Sequence, residues 1–328
     1  MIEPKVSICV PVYGVEACIE RCAISLFEQS YNNIEYVFVN DCTLDSSINI
    51  LHSVLQKYPH RIEQTKIISH NINKGSAGTR NTLLDNVTGE FIIWVDSDDY
   101  IEKILVAEVI KKQQEANADV VFYGYASHKG KLVHTVLPKD LGSGEWAYNA
   151  LARHISVVLW DKCVRTDIYK NNKLHFIEGL NMGEDYYIVP QVLYHAKNVV
   201  VLKKSLYHYS IAAVTDSYCN SFSEAKWRQM IQVLDKLNDI FEKKDTKYKI
   251  AYKIAESRLI ALNLISVCGV PEKHKEYYKY LRNRANKIER NYWIYANKKY
   301  RIAFWIKSHI LLRLYVRTIK SIQHFFVS

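Results

Sequence analysis

Apolar and polar positions over the first 125 residues alternate between two periods. Val6 to Val12 is a short β-branched run that predicts a strand, and Glu16 to Gln29 carries Ile19, Cys22, Ala23, Leu26 and Phe27 at helical spacing. Ile34 to Val39 predicts a second strand. Asp45 to Lys57, with Ile48, Leu51, Val54 and Leu55, predicts a second helix. Lys66 to Ser69, Ser76 to Val87, Phe91 to Val95, Ile101 to Ala116 and Asp119 to Tyr123 continue the alternation. Strand and helix in turn predict an α/β fold with a mainly parallel sheet covered by helices. Ligands of such sheets bind outside the carboxyl ends of the strands, where Asn40-Asp41 and Asp96-Ser97-Asp98-Asp99 fall. From 126 to 220 the pattern is irregular, with turns at Gly142 and Gly144. From Ser223 onward it is helical, without a further strand.

Composition narrows this picture. The 328 residues are 48% hydrophobic, enough for a sizeable core, and the length suggests two domains. Lys and Arg exceed Asp and Glu by 44 to 34, a net charge of +10 that suits an anionic partner, with a solvated basic surface as the plain alternative. The seven cysteines are scattered and complete no zinc set, so they read as reduced and mostly buried, in a cytosolic compartment. The N-terminus opens directly into a strand, without the basic region and apolar run of a signal peptide. No stretch reaches the roughly 18 uninterrupted apolar residues of a spanning helix, so the chain is expected to be soluble or peripheral.

Four clusters carry candidate chemistry. Asp96, Asp98 and Asp99 follow the apolar run Phe91-Ile92-Ile93-Trp94-Val95. Carboxylates so close repel unless a cation lies between them, and their hard oxygens suit Mg²⁺ or Mn²⁺ bridging a diphosphate. The alternative is an acidic cap on a helix beginning at Ile101. Asp41 closes the second strand, where it can accept a uracil N–H or ribose hydroxyls, or cap the helix near Ser46. Asn71 to Asn81 is a glycine-punctuated turn into a helix, with Lys74 and Arg80 able to face phosphate. Glu184-Asp185 precedes an apolar helix over Tyr186 to Leu193, and on local grounds complements its dipole.

Taken together, these residues resemble the family 2 glycosyltransferases of GT-A fold, especially the bacterial surface-polysaccharide branch. The resemblance runs from Lys5 to about Asp99 through Val6-Ser-Ile-Cys-Val-Pro-Val-Tyr13, Val39-Asn-Asp41, Asn73-Lys-Gly75, Ala77-Gly-Thr-Arg-Asn81, Gly89-Glu-Phe-Ile and Val95-Asp-Ser-Asp-Asp99. It resumes at Trp160-Asp-Lys162, Gly183-Glu-Asp185 and Leu206-Tyr-His-Tyr209. The resemblance implies a Rossmann-like sheet with helices on both faces and a helical C-terminal extension. Residues 1–125 would bind the nucleotide sugar, 126–220 would hold the acceptor and catalytic base, and 221–328 would form the basic extension. Pro11, Tyr13 and Asp41 would line the base pocket, Lys74 or Arg80 would hold the nucleotide, and Asp96 would contact the ribose and the metal side. Asp98 and His208 would ligate Mn²⁺ or Mg²⁺, and Asp185 would be the general base of an inverting transfer. The donor would be a UDP-sugar and the acceptor a glycan or lipid-linked saccharide. Gly14, and Asn40-Asp41-Cys42, depart from the Asn and Asp-Asp-Gly usual there.

The rival readings are a sugar-nucleotide-binding or nucleotidyl-transferring protein, and a nucleic-acid-binding module. The first lacks a glycine-rich basic loop after the first strand, and the second lacks basic and aromatic residues on the strands. Leu311 to Phe326 forms an amphipathic wheel, Leu311, Leu312, Tyr315, Ile319, Ile322, Phe325 and Phe326 opposite Arg313, Arg317, Lys320 and His324. Such a helix is expected to lie on an anionic membrane face, at the inner side of the cell membrane, or to pack on the catalytic domain.

Overall fold

The computed structural model describes residues 3–130, 132–142, 144–210, 223–268, 274–308 and 310–316. The first apolar run is the interior strand β1 (Val6–Val12), followed by α1 (Ile19–Phe27), β2 (Ile34–Asn40), α2 (Ser47–Leu55), β3 (Thr65–Ser69), α3 (Gly75–Asp85) and β4 (Phe91–Trp94). The chain goes on through the two-residue β5 (Tyr100–Ile101), α4 (Leu105–Ala116), β6 (Val120–Lys129), β7 (Leu132–Val136), α5 (Trp146–Leu151), β8 (Lys162–Arg165), α6 (Thr166–Asn171), α7 (Glu184–His195) and β9 (Val199–Ser210). Sheet order is β3-β2-β1-β4-β8-β6-β9-β5, with β7 on β6.

The N-terminal half of the sheet is parallel, as the alternation predicts: β1 pairs with β2 and β4, and β2 with β3. Beyond β4 the sheet is mixed. β8 runs against both β4 and β6, β5 runs against β9, and β6 with β9 is again parallel.

Side chains alternate across a strand, and the two faces are covered differently. Val6, Ile8, Val10 and Val12 of β1 join Ile34, Tyr36 and Phe38 of β2 in a core shared with Ile19, Cys22, Leu26 and Phe27 of α1, Leu51 and Val54 of α2, and Leu105 and Val109 of α4. Cys9, Val37 and Val39 are buried on the opposite face, where α3 packs on β1 and β2.

Two element ends differ most from the periodicity. The helix expected from Ile101 starts at Leu105, because Tyr100 and Ile101 pair with His208 and Tyr207 of β9. The strand expected to end at Tyr123 runs to Lys129, because β9 accompanies it past a bulge at Gly124.

The chain forms two compact units, residues 1–150 with 154–217, and residues 151–153 with 218–328. The second unit contains α8 (Glu224–Phe241), α9 (Thr246–Cys268), α10 (Lys275–Ala285), α11 (Lys298–Trp305) and a helical stretch over 310–316. Among the described residues no helix is long and apolar enough to cross a membrane. Residues 317–326 of the amphipathic wheel lie outside the described residues. Within 310–316, Leu312 is buried but Leu311 is exposed, so the apolar arc of the wheel is split.

Candidate active site

Because β1, β2 and β4 are parallel neighbours, their carboxyl ends share one edge of the sheet. Val12 pairs with Asn40 and Cys9 with Trp94, which brings Pro11 and Tyr13, Asp41 and Asp96 to the same rim. Tyr13 keeps 56% of its surface exposed there. Asp41 is buried and ties down the turn from His70 to Gly75. Its Oδ1 takes hydrogen bonds from His70 Nδ1 (2.8 Å) and Lys74 N (2.7 Å), and Oδ2 takes one from Gly75 N (2.8 Å). The capping role open to Asp41 falls instead to Asp45, whose Oδ1 accepts from Ser47 N at 3.1 Å and Ser47 Oγ at 2.6 Å. His70, which the sequence did not single out, spans Asp41 and Thr82 Oγ1 (2.9 Å). Lys74 enters as the N-cap residue of α3, its main-chain N–H turned to Asp41. Gly75 sits at φ +72°, a conformation that favours glycine, and a Cβ there would lie 2.4 Å from the Asn181 amide, which would have to turn aside.

The acidic loop after β4 divides by burial. Ser97 and Asp99 are buried, whereas Asp96 and Asp98 are partly open. Tyr207 Oη accepts from Asp96 N (3.1 Å) and donates to Asp99 Oδ2 (2.7 Å), and Ser210 N donates to Asp99 Oδ1 (2.8 Å). Burial, with Asp98 and Asp96 alongside, pushes the Asp99 carboxyl up to about 8. Burial and Asp96 push Asp98 up to about 6. The helix-cap alternative falls away, since α4 begins at Leu105, well past the cluster. Asp99 anchors the loop while Asp96 and Asp98 stay partly open to solvent. Two such carboxylates fit a hard dication that takes one or two from the protein and completes its shell with phosphate and water. Among the described residues, no three His, Cys, Asp or Glu side chains converge into a complete metal cage.

Arg80 projects from α3 into this rim and meets three carboxylates. It pairs with Asp96 Oδ1 (3.2 Å), Glu184 Oε1 (2.5 Å) and Asp185 Oδ1 (3.6 Å). Ser76 Oγ adds a bond to Glu184 Oε1 (2.6 Å). Glu184 and Asp185 open α7 behind Gly183, at φ +86°. Asp185 Oδ2 accepts from Leu159 N (3.2 Å), while its buried Oδ1 accepts no hydrogen bond. Burial raises this carboxyl to about 7, against the Arg80 guanidinium and with help from Glu184 and Asp96. The Trp160-Asp-Lys162 segment buttresses both sides. Trp160 stacks on Tyr207 (4.5 Å) and Tyr209 (5.4 Å), next to the residue whose N–H holds Asp185. Lys162 is buried against Asp161.

His208 lies beside the acidic loop but is fully engaged. Its Nε2 faces Glu102 Oε1 (2.7 Å) and donates to that carboxylate, while Nδ1 shares a hydrogen bond with His128 Nε2 (2.9 Å). Tyr100 stacks on the ring at 4.3 Å, and Arg21 covers the Tyr100 ring at 4.5 Å. Arg21 also donates to Asp98 O (2.9 Å) and Ser210 Oγ (2.8 Å), a contact that the sequence did not signal.

The sheet with its rim of carboxylates defines an α/β protein of the GT-A type. Residues 7–182 match the model described as glycosyl transferase family 2. The chain belongs to that family. It is 30% identical over 230 residues to the glycosyltransferase GlyA of Streptococcus pneumoniae, covering 64% of this chain and 31% of GlyA. Against the poly(ribitol-phosphate) beta-N-acetylglucosaminyltransferase TarS of Staphylococcus aureus it is 29% identical over 209 residues, covering 63% of this chain and 35% of TarS. The chain thus spans about a third of the length of these relatives. A crystal structure of S. aureus TarS 1–349 in complex with UDP-GlcNAc shares the fold, with a TM-score of 0.74 at 20% identity, over 97% of this chain and 92% of that one. The mannosyltransferase PcManGT from Pyrobaculum calidifontis, in complex with GDP-Man and Mn²⁺, gives 0.57 at 15% identity, over 94% and 87%.

Proposed function

We propose that the chain is an inverting glycosyltransferase that moves a sugar from a UDP-sugar to a hydroxyl of a glycan or lipid-linked saccharide, with Mn²⁺ or Mg²⁺ required. The observation that carries this reading is the placement of Asp185. A buried carboxylate with one oxygen fixed by Leu159 N and the other accepting no hydrogen bond stands across Arg80 from the partly open Asp96 of the β4 rim. Such an oxygen is suited to take a proton from an acceptor hydroxyl. The family membership supports glycosyl transfer, and the UDP-GlcNAc complex of TarS supports a UDP-sugar.

Residues 1–125 would bind the donor, 126–220 would supply the base and the acceptor side, and 221–328 would form the extension. Pro11 and Tyr13 would line the base pocket with Asp41, whose Oδ2 accepts only from Gly75 N among its described bonds and keeps room for a donor N–H. Lys74 and Arg80 would meet the nucleotide, and Asp96 its ribose. Asp98, with Asp96 beside it, would hold the divalent cation, and His208 would join only by giving up the hydrogen bond it shares with His128. A bound cation would neutralise charge building on the departing diphosphate, and the PcManGT complex with Mn²⁺ supports that requirement. We place the protein in the cytoplasm, at the inner face of the cell membrane where lipid-linked acceptors lie.

Calorimetry with UDP tests the donor site. The wild type should bind UDP only when Mn²⁺ is supplied, and Asp98→Asn should lose that binding with its fold intact by circular dichroism. Unchanged affinity in the variant would remove Asp98 from the metal site.

A further inference from the structure

The last 39 residues, Arg290 to Ser328, hold eight Lys or Arg and no Asp or Glu, and so carry eight of the chain's ten net positive charges. Within the described part of this stretch, large apolar side chains remain in water. The helical stretch over 310–316 buries Leu312 and Val316 one turn apart, yet Ile310, Leu311 and Leu314 on its other side are 70%, 58% and 54% exposed. Trp305, closing α11, is 65% exposed, and Ile294 is 58% exposed. A single exposed Leu is ordinary on a soluble protein. Five large exposed apolar residues within 21 positions, in a stretch that has cations and no Asp or Glu of its own, call for a partner that is both apolar and anionic.

We propose that residues 294–314 dock the protein on an anionic lipid surface, with Trp305, Ile310, Leu311 and Leu314 entering the headgroup region and Lys298 and Lys307 meeting lipid phosphates. An exposed Trp, exposed aliphatic residues and exposed lysines close in sequence are the set of side chains an interfacial segment requires. The competing occupants each satisfy only half of the surface. A soluble polyanion would meet the cations and leave the aliphatic face wet, and a second copy would cover that face while opposing two segments of like charge. This deepens the membrane placement proposed above by naming the surface, and does not rest on the transfer reaction.

The test is co-sedimentation of the full chain with phosphatidylcholine vesicles, with and without phosphatidylglycerol. The expected result is binding that requires phosphatidylglycerol and weakens with salt. Leu311→Ser/Leu314→Ser and Lys298→Gln/Lys307→Gln should each lower it about tenfold or more, on the scale of one lipid contact per cation. Mn²⁺-dependent UDP binding, measured on the same samples, reports folding, and its absence in the wild type would reject the donor reading while leaving the vesicle result standing. Three results would overturn the docking surface. The wild type could ignore phosphatidylglycerol vesicles, the serine variant could bind them as well as the wild type does, or that variant could convert a dimer to a monomer in sedimentation.

Discussion

At Asp185 two opposing effects meet. Burial favours the neutral acid, the Arg80 guanidinium favours the carboxylate, and the carboxyl settles up at about 7. The base proposed here works only when deprotonated, so the proposed transfer should fall as pH drops through about 7 and level off above it. The acid limb of kcat/KM reads this directly, and a limb at the ordinary carboxylate range would mean that another group takes the proton. Arg21 acts at a distance from that chemistry. Its guanidinium holds the Asp98 carbonyl and Ser210 while stacking on Tyr100. Arg21→Ala should therefore loosen the acidic loop and weaken Mn²⁺-dependent UDP binding, with little change in melting temperature because the guanidinium is at the surface. Calorimetry and a thermal melt on the same protein separate the two, and intact UDP affinity would confine Arg21 to packing.

At the scale of elements, the turn before β4 is set by Glu35 and Gly89. The buried Glu35 carboxylate accepts from Ser7 Oγ (2.5 Å), Thr88 Oγ1 (2.7 Å) and Gly89 N (3.1 Å), and a Cβ on Gly89 would lie 2.7 Å from Ser7 N. Burial alone would raise this carboxyl, but its hydrogen bonds outweigh that and hold it down at about 2. A depressed folded-state value means stability present above the unfolded value of about 4.3 and lost as pH falls toward 2. Glu35→Gln should cost about 1–3 kcal/mol near neutral pH and flatten the acid limb of stability, as denaturant titrations at several pH values will show. An unaltered acid limb would assign that loss elsewhere. Gly89→Ala should lower the melting temperature as well, since backbone atoms rather than a flexible side chain fill the space.

The strands of this half were legible because β1, β2 and β4 are short buried apolar runs, a pattern that shows whichever strands they pair with. The acidic loop was legible for the same reason, being contiguous with β4. What the sequence hid depends on distant pairings. The start of α4 moved because β9, a hundred residues on, captures Tyr100 and Ile101, and Asp41 exchanged capping for a turn 29 to 34 residues away. Asp185 looked locally like a dipole partner. Only the fold brings Arg80 against it.

For the whole molecule, the net charge of +10 is concentrated. The 289 residues before Arg290 carry only +2, so the basic excess belongs to the last 39 residues rather than to the part that holds the carboxylate rim. A nucleic-acid reading, which that charge alone had suggested, loses its footing in the sheet. On the proposed reading the carboxylate rim binds a UDP-sugar and Asp185 performs the proton step. The most direct measurement is UDP release from a panel of nucleotide sugars in the presence of Mn²⁺ and of a saccharide acceptor mixture, with UDP binding followed in parallel. The account predicts release from a UDP-sugar by the wild type, and a loss on the order of 10²–10⁴-fold in Asp185→Asn, with UDP affinity retained. Near-normal release by that variant, or wild-type protein that turns over no UDP-sugar and binds no UDP, would contradict it.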